Sequence, residues 1–334
     1  MSGTSAPTEG YVFDATALPD ALRGSVIAIG NFDGLHRGHQ AVIAEALAIG
    51  AALHAPTLVL SFDPHPRTLF RPDAPMFRLT PDPVKAQVLK ALGVAGLVNA
   101  RFDRAFAGQT AEEFISGVLV AQLGARHVVV GHDFRFGRGQ SGNTDFLVAT
   151  GPAAGVGVTV VEAFSDEGGA IVSSSRIRDL LRAGDTIEAA GLLGYRFLFA
   201  APVIHGDARG RDLGYPTANL DPGGQFGLAH GIYAVRVRVE GKLHDGVASF
   251  GRRPTFDNGN PLFEVHLFDF AGDLYGRWMD VSVICRLRGE ERFDSIDALI
   301  AQMDRDSAEA RAALGAIVPL GALDLALTFA PDVF

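Results

Sequence analysis

The chain holds 334 residues, 48% of them apolar and 20% charged, with a formal net charge of −9; this is enough for two ordinary domains and the composition of a globular protein. The acidic balance argues against a broad nucleic-acid surface, and no apolar run nears the roughly 20 residues of a membrane helix. Cys285 is the single cysteine, which excludes an intrachain disulfide and a multi-cysteine metal site. Met1–Gly10 reads as a flexible lead-in without the features of a secretory signal, so a cytoplasmic protein acting on small molecules is expected.

The first strand is expected over Ser25–Ile29. It breaks at Gly30 and passes through Asn31, Phe32, Asp33, Gly34, Leu35, His36, Arg37, Gly38 and His39 into a helix whose apolar spacing covers Ala41–Leu47, with Gly50 able to end it. Gly30, Gly34 and Gly38 let the backbone bend and approach a ligand, and the two histidines fall where the turn becomes a helix. The first N–H groups of a helix have no internal partner and its dipole adds positive charge there, so this junction suits phosphate. Strands at Thr57–Phe62, Gly96–Phe102, His127–Val130 and Gly157–Phe164 then alternate with helices at Val84–Leu92, from a Thr110/Glu113 capping box to Gly124, and at Asp145–Ala149. That alternation predicts a parallel sheet covered on both faces, with ligands at the carboxyl ends of its strands.

Three loops after such strands stand out, the histidine turn being the first and Gly131–Gly139 and Ser173–Arg178 the others. Asp63-Pro64-His65-Pro66 closes the strand Thr57–Phe62. Gly131–Gly139 carries two phenylalanines, two arginines and three glycines, offering stacking surface and anion contacts. Ser173-Ser174-Ser175-Arg176-Ile177-Arg178 opens a helix ending at Ala183-Gly184, where Arg176 beside free N–H groups makes a second anion site.

Near residue 186 the texture changes. Ile187–Leu193 reads as a linking helix, and Tyr195 to about Arg288 as short strands. Tyr233–Glu240 alternates strictly, with turns at Glu240-Gly241 and Ala271-Gly272, so a small antiparallel barrel is expected, followed by a helix over Ser295–Leu314. His205–Asn219 is a glycine-rich, arginine-bearing loop that could cradle phosphate, and Thr217 and Asn219 offer neutral oxygens of the kind that bind Mg²⁺ alongside phosphate and water. Glu264, His266 and Phe268 fall on one face of a strand, Val265 and Leu267 on the other. A carboxylate there can serve as general base if a hydroxyl comes within reach.

The stretches G-N-F-D-G-x-H-x-G-H, G-x-D-F-x-F-G and S-S-S-R-I-R resemble the adenylyl-transfer domain of the bifunctional prokaryotic riboflavin kinase/FAD synthetase family, with Ser175 in place of its usual threonine. G-R-x-L-G-Y-P-T-A-N, R-P-T-F, E-x-H-x-x-D-F and D-L-Y-G resemble the riboflavin kinase barrel, with Tyr215 in place of phenylalanine. The resemblance implies a Rossmann-like FMN adenylyltransferase domain over residues 21–185 and a riboflavin kinase β-barrel with a terminal helix over 186–314. ATP and Mg²⁺ would convert riboflavin to FMN in the barrel, and a second ATP would convert FMN to FAD in the first domain.

By the same resemblance Glu264 is the kinase base, and His36, His39 and Arg176 stabilise charge in adenylyl transfer. Nucleotide and phosphate contacts fall to Gly30, Asn31, Phe32, Asp33, Gly34, Gly38, Asp133, Arg135, Ser174 and Ser175, and in the barrel to Gly206, Arg209, Gly210, Arg211 and Gly214. Flavin contacts fall to His65, Phe136, Arg253 and His266, and Mg²⁺ to Thr217 and Asn219. Residues 1–20 and the tail from Gly315 lie outside the resemblance. Two other readings stay open, an adenylyltransferase for another phosphorylated acceptor whose barrel has lost its kinase role, and a flavin sensor without turnover. The sequence sets no oligomeric state.

Overall fold

Short runs of valine, leucine and isoleucine form the centre of a parallel sheet in the computed structural model, which describes residues 10–74, 76–205, 214–223, 226–251 and 261–330. Pro7–Met76 with Lys85–Ser173 make one compact unit, and Phe77–Val84 with Ser174–Phe334 belong to a second. The sheet of the first unit has the order β1-β4-β3-β2-β5-β6, from β1 (Val12–Asp14), β2 (Val26–Ile29), β3 (Thr57–Asp63), β4 (Gly96–Arg101), β5 (His127–Gly131) and β6 (Gly157–Val161). Every pairing in it is parallel. All four residues of β2 are buried, as they must be in a strand covered on both faces. Chain order reverses between β2 and β5, so the carboxyl ends of these two strands open the crevice where α/β sheets bind ligands.

Helix α1 spans Arg37–Leu53, and Gly50 does not end it. A Cβ at Gly50 would lie 2.2 Å from Thr57 Oγ1, so glycine is needed there for close approach to β3; His54, at φ 50° and ψ 43°, terminates the helix instead. The Thr110/Glu113 capping box forms as expected, with the Glu113 carboxylate accepting from the Thr110 N–H at 2.7 Å. Beyond it Phe114–Gln122 winds in wider π turns and Gly124, at φ 59°, follows the end. Residues 1–9 of the expected lead-in lie outside the described residues, and structure begins directly after it. Val12–Asp14 adds an edge strand beside β4, and the Tyr11 hydroxyl donates to the Val94 carbonyl at 3.0 Å.

In the second unit β7 (Leu198–Ile204), β8 (Ala218–Leu220), β9 (Gly231–Val239), β10 (Lys242–Gly251), β11 (Leu262–Leu267) and β12 (Trp278–Arg288) close an antiparallel barrel in the order β10-β11-β8-β7-β12-β9. Glu240 and Gly241 both take positive φ, 49° and 74°, the geometry whose twist matches a two-residue hairpin. Tyr233, Val235 and Val237 point inward beside a ring cluster of Phe199, Phe226, Phe250 and Phe263. Phe268 lies just past β11. It is buried with Ala234, Val247 and Ile284 beneath Ala310 and Leu314 of the terminal helix Ile296–Ala316, whose N-cap is Ser295.

The tail past Gly315 is part of this unit. Asp324 is fully buried; its carboxylate accepts from the Arg196 guanidinium, from the N–H groups of Arg196 (3.1 Å) and Leu320 (2.9 Å), and from the Thr328 hydroxyl (3.0 Å). Arg238 Nη2 donates to the carbonyls of Leu327 and Ala330, both at 2.8 Å. A buried carboxylate is tolerated only with this degree of pairing. Asp324→Ala leaves Arg196 buried without its counter-ion and should lower unfolding stability by about 3–5 kcal/mol. A loss below about 1 kcal/mol in denaturant titration, the range of an exposed pair, would place the tail outside the cooperative fold.

Candidate active sites

The turn from β2 to α1 is held in an uncommon backbone conformation. Phe32 and Leu35 adopt φ 47° and 42°, in the left-handed region, and Gly34 adopts φ 89°. Both side chains are buried, and the Phe32 ring lies so close to Gly30 that a Cβ there would meet it at 3.2 Å. His36 caps α1, its Nδ1 accepting from the His39 N–H at 3.4 Å. That bond leaves the His36 proton on Nε2.

The His36 and His39 rings stack with centroids 3.7 Å apart, and Phe32 meets His39 edge-on at 5.3 Å. Gly38 permits this, because a Cβ there would press on the His36 ring at 3.2 Å. Burial, then stacked His36, then the nearby charge of Lys85, push the His39 imidazole well below its usual pKa. His39 is therefore neutral at pH 7, and its buried Nδ1 has no hydrogen-bond partner among the described residues. A neutral imidazole beside the open N–H groups of a helix start can donate to phosphate oxygens without adding a competing charge.

On the next loop Asp133 and Arg135 are exposed, whereas Phe136 is 7% exposed and packs on Phe114, Phe134 and Phe146. Phe136 is thus a core ring and Phe134 is the outer member of that stack. At the ends of β3 and β4, Phe62, Phe102 and Phe106 gather with centroids 5.6–5.9 Å apart, a cluster that sequence reading missed. Phe70, 67% exposed at the end of α2 (Pro66–Phe70), extends that wall toward solvent, 6.0 Å from Phe102. His65 caps α2 by accepting from the Arg67 N–H at 3.1 Å.

A third constellation was invisible in sequence. Lys85 lies on α3 (Asp82–Ala91), is 2% exposed, and donates to the Asn31 carbonyl and the Ser61 hydroxyl at the ends of β2 and β3.

In the second unit, Ser174 and Ser175 start helix α4 (Ser174–Ala183). Arg176 Nη2 lies 3.4 Å from Glu188 Oε1, on α5 (Thr186–Leu193), and Arg178 is buried with its Nε donating to the Phe77 carbonyl at 2.7 Å.

The barrel brings Glu264 together with a predicted metal ligand. Glu264 on β11 sits directly opposite Asn219 on β8 and Ser249 on β10, and such cross-strand partners share a face. Thr217 lies two residues before Asn219. His266 Nδ1 bonds the Pro216 carbonyl at 2.9 Å and its ring lies 5.0 Å from Tyr215, while the Tyr215 hydroxyl donates to Asp304 of the terminal helix. Gly214, at φ 84°, turns the chain into this segment. Gly206, Arg209, Gly210, Arg211 and Arg253 lie outside the described residues. Among the described residues no three His, Cys, Asp or Glu side chains gather as a metal cage. Neutral oxygens beside one carboxylate suit Mg²⁺, which keeps water and phosphate in its shell, better than a transition metal.

One unit of the chain is an α/β fold with paired imidazoles at its switch point, and the other is a barrel that sets a carboxylate opposite an amide, an arrangement of the class of two-domain nucleotide-dependent transferases. A FAD synthetase family model matches residues 18–176 and a riboflavin kinase model residues 193–314. The bifunctional riboflavin kinase/FMN adenylyltransferase of Escherichia coli (strain K12) is 41% identical, covering 89% of this chain and 95% of its own. That of Bacillus subtilis (strain 168) is 36% identical, covering 86% and 91%. A Streptococcus pneumoniae crystal structure described as a macrolide-efflux protein is 31% identical with TM-score 0.77, over 90% of this chain and 99% of that one. No described helix here is long and apolar enough to cross a membrane. The chain belongs to the bifunctional riboflavin kinase/FMN adenylyltransferase family.

The enclosed His39 has a measurable consequence for stability. An unfolded imidazole binds a proton below about pH 6.5, while folded His39 does so only at clearly lower pH. The unfolded state therefore holds the extra proton, and stability is lost as pH falls through that range, by up to about 1.4 kcal/mol per pH unit for this one group. His39→Asn should flatten the slope of unfolding free energy between pH 7.5 and 5.5; equal slopes in parent and variant would contradict the neutral state of His39.

Proposed function

We infer that the two halves of the chain divide two ATP-dependent steps of flavin nucleotide synthesis. The chain phosphorylates riboflavin to FMN and then adenylylates FMN to FAD with release of pyrophosphate. The observation that carries this is the pair of family models, FAD synthetase followed by riboflavin kinase, along one chain. Adenylyl transfer is assigned to residues 21–185 and phosphorylation to 186–314. The substrates are small molecules, and the single cysteine fits a cytoplasmic enzyme.

In the kinase step Glu264 takes the proton of the ribityl terminal hydroxyl as that oxygen bonds to the γ-phosphorus and the bond to the ADP oxygen breaks. Asn219, opposite Glu264, and Thr217 would hold Mg²⁺, whose charge offsets that of the phosphates. His266, fixed by the Pro216 carbonyl, flanks the same face and is assigned to the flavin.

In the second step an FMN phosphate oxygen bonds to the α-phosphorus of ATP and the bond to pyrophosphate breaks. His36 donates through Nε2, neutral His39 donates beside it, and the start of α1 adds N–H groups, all toward the oxygens where charge builds. Arg176, Ser174 and Ser175 add anion contacts on the strength of their motif. The edge-to-face cluster of Phe62, Phe70 and Phe102, with the α2 cap His65, offers an apolar surface for the isoalloxazine.

Chromatography of riboflavin incubated with the protein and Mg-ATP tests the assignment. FMN should appear first and FAD follow. Unchanged riboflavin would favour another adenylyl acceptor, and tight binding without turnover a sensor. Glu264→Gln should bind riboflavin but phosphorylate it about a hundredfold to ten-thousandfold more slowly, while FAD formation from supplied FMN is retained. A rate within about threefold of the parent would make Glu264 an ordinary strand residue.

A further inference from the structure

Lys85 is a buried charge that takes part in neither proposed step. Its ammonium lies 3.1 Å from the Asn31 carbonyl and 2.8 Å from Ser61 Oγ, and Ser61 Oγ in turn donates to the same carbonyl at 3.2 Å. These three groups close a triangle across the ends of β2 and β3. The pinned peptide is the one entering Phe32, where the backbone turns left-handed.

Enclosing an ammonium at 2% exposure is costly, and a methionine would fill a similar volume without that penalty. A strained turn, conversely, persists only where its surroundings over-determine it. The triangle supplies that constraint at the last residue before the strain.

We propose that Lys85 is a positioning residue for adenylyl transfer: by fixing the Asn31 peptide it sets the turn that carries the stacked His36–His39 pair. The inference rests on the assignment of that reaction to this turn. Its second effect is electrostatic. The groups that bear on His39 are His36 from its own turn and Lys85 from α3, and both hold its imidazole neutral beyond the effect of burial.

The test is Lys85→Met, assayed for FMN formation from riboflavin and for FAD formation from supplied FMN. Because misplacement of reacting groups by about 1 Å can cost about a hundredfold, kcat for FAD should fall roughly thirtyfold to a hundredfold with KM for ATP and FMN within about threefold. FMN formation should equal the parent's, and the His39 ring should titrate at higher pH by NMR. A kcat for FAD within about threefold of the parent with unmoved His39 titration overturns the proposal.

Should Lys85→Met lose FMN formation as well, Ser61→Ala decides, since it keeps the ammonium and removes one corner of the triangle. Its kcat for FAD should fall about fivefold or more with kinase activity intact, and a parental value there overturns the proposal. His39→Ala, run in parallel, separates two failures. FAD formation surviving in His39→Ala removes the site assignment itself. Its loss there, with parental kcat in Lys85→Met, removes only the role of Lys85.

Discussion

The passage from β2 into α1 is the constraint on which the α/β unit depends. A strand buried on both faces must become, within a few residues, a helix whose open N–H groups face the crevice. The chain does so by placing two non-glycine residues in the left-handed region, each costing about 1–3 kcal/mol. Burial of the Phe32 and Leu35 side chains, about 1.5–3 kcal/mol apiece, offsets that cost and sets the turn in one conformation. Two imidazoles then stack at 3.7 Å, where charging both is disfavoured. The electrostatic character of the site, a neutral His39 at a positive helix end, follows from backbone geometry and burial.

In the barrel the corresponding constraint is register. Glu264 and Asn219 meet because β11 pairs with β8, and a slip of one residue would send Glu264 into the phenylalanine-filled interior. Phe263 and Val265, buried on either side of Glu264, hold that register by their own burial. The terminal helix covers a separate part of the outer face, and the Tyr215–Asp304 hydrogen bond ties it to the segment leading into Thr217 and Asn219. The hydroxyl that distinguishes Tyr215 from the family's usual phenylalanine therefore has a partner.

Much of this was legible in the sequence because the signals are local. A strand, glycines and two histidines in one short run announced the turn into α1, Thr110 with Glu113 announced a cap, and the alternation of Tyr233–Glu240 announced a barrel strand. Where tertiary contact decides, the reading failed. Gly50 looked like a helix stop, yet it is there to admit Thr57. Lys85 on an amphipathic helix looks like a solvated charge until β2 and β3 place a carbonyl and a hydroxyl beside it. Asp324, in the tail that lies outside the family resemblance, is buried because Arg196, far earlier in the chain, reaches it. Phe62 comes from β3 and Phe102 and Phe106 from the segment just after β4, and the pairing of β3 with β4 makes them one wall.

The proposed division of the chain into two chemically independent sites is tested by a mixing experiment, in which FMN released by one molecule serves another. His39→Ala and Glu264→Gln proteins, each unable to carry riboflavin to FAD alone, are combined in equal amounts with riboflavin and Mg-ATP. Restored FAD synthesis after a lag in which FMN accumulates is the predicted result. A mixture that makes no more FAD than either variant alone, with each retaining its other activity, would contradict the account.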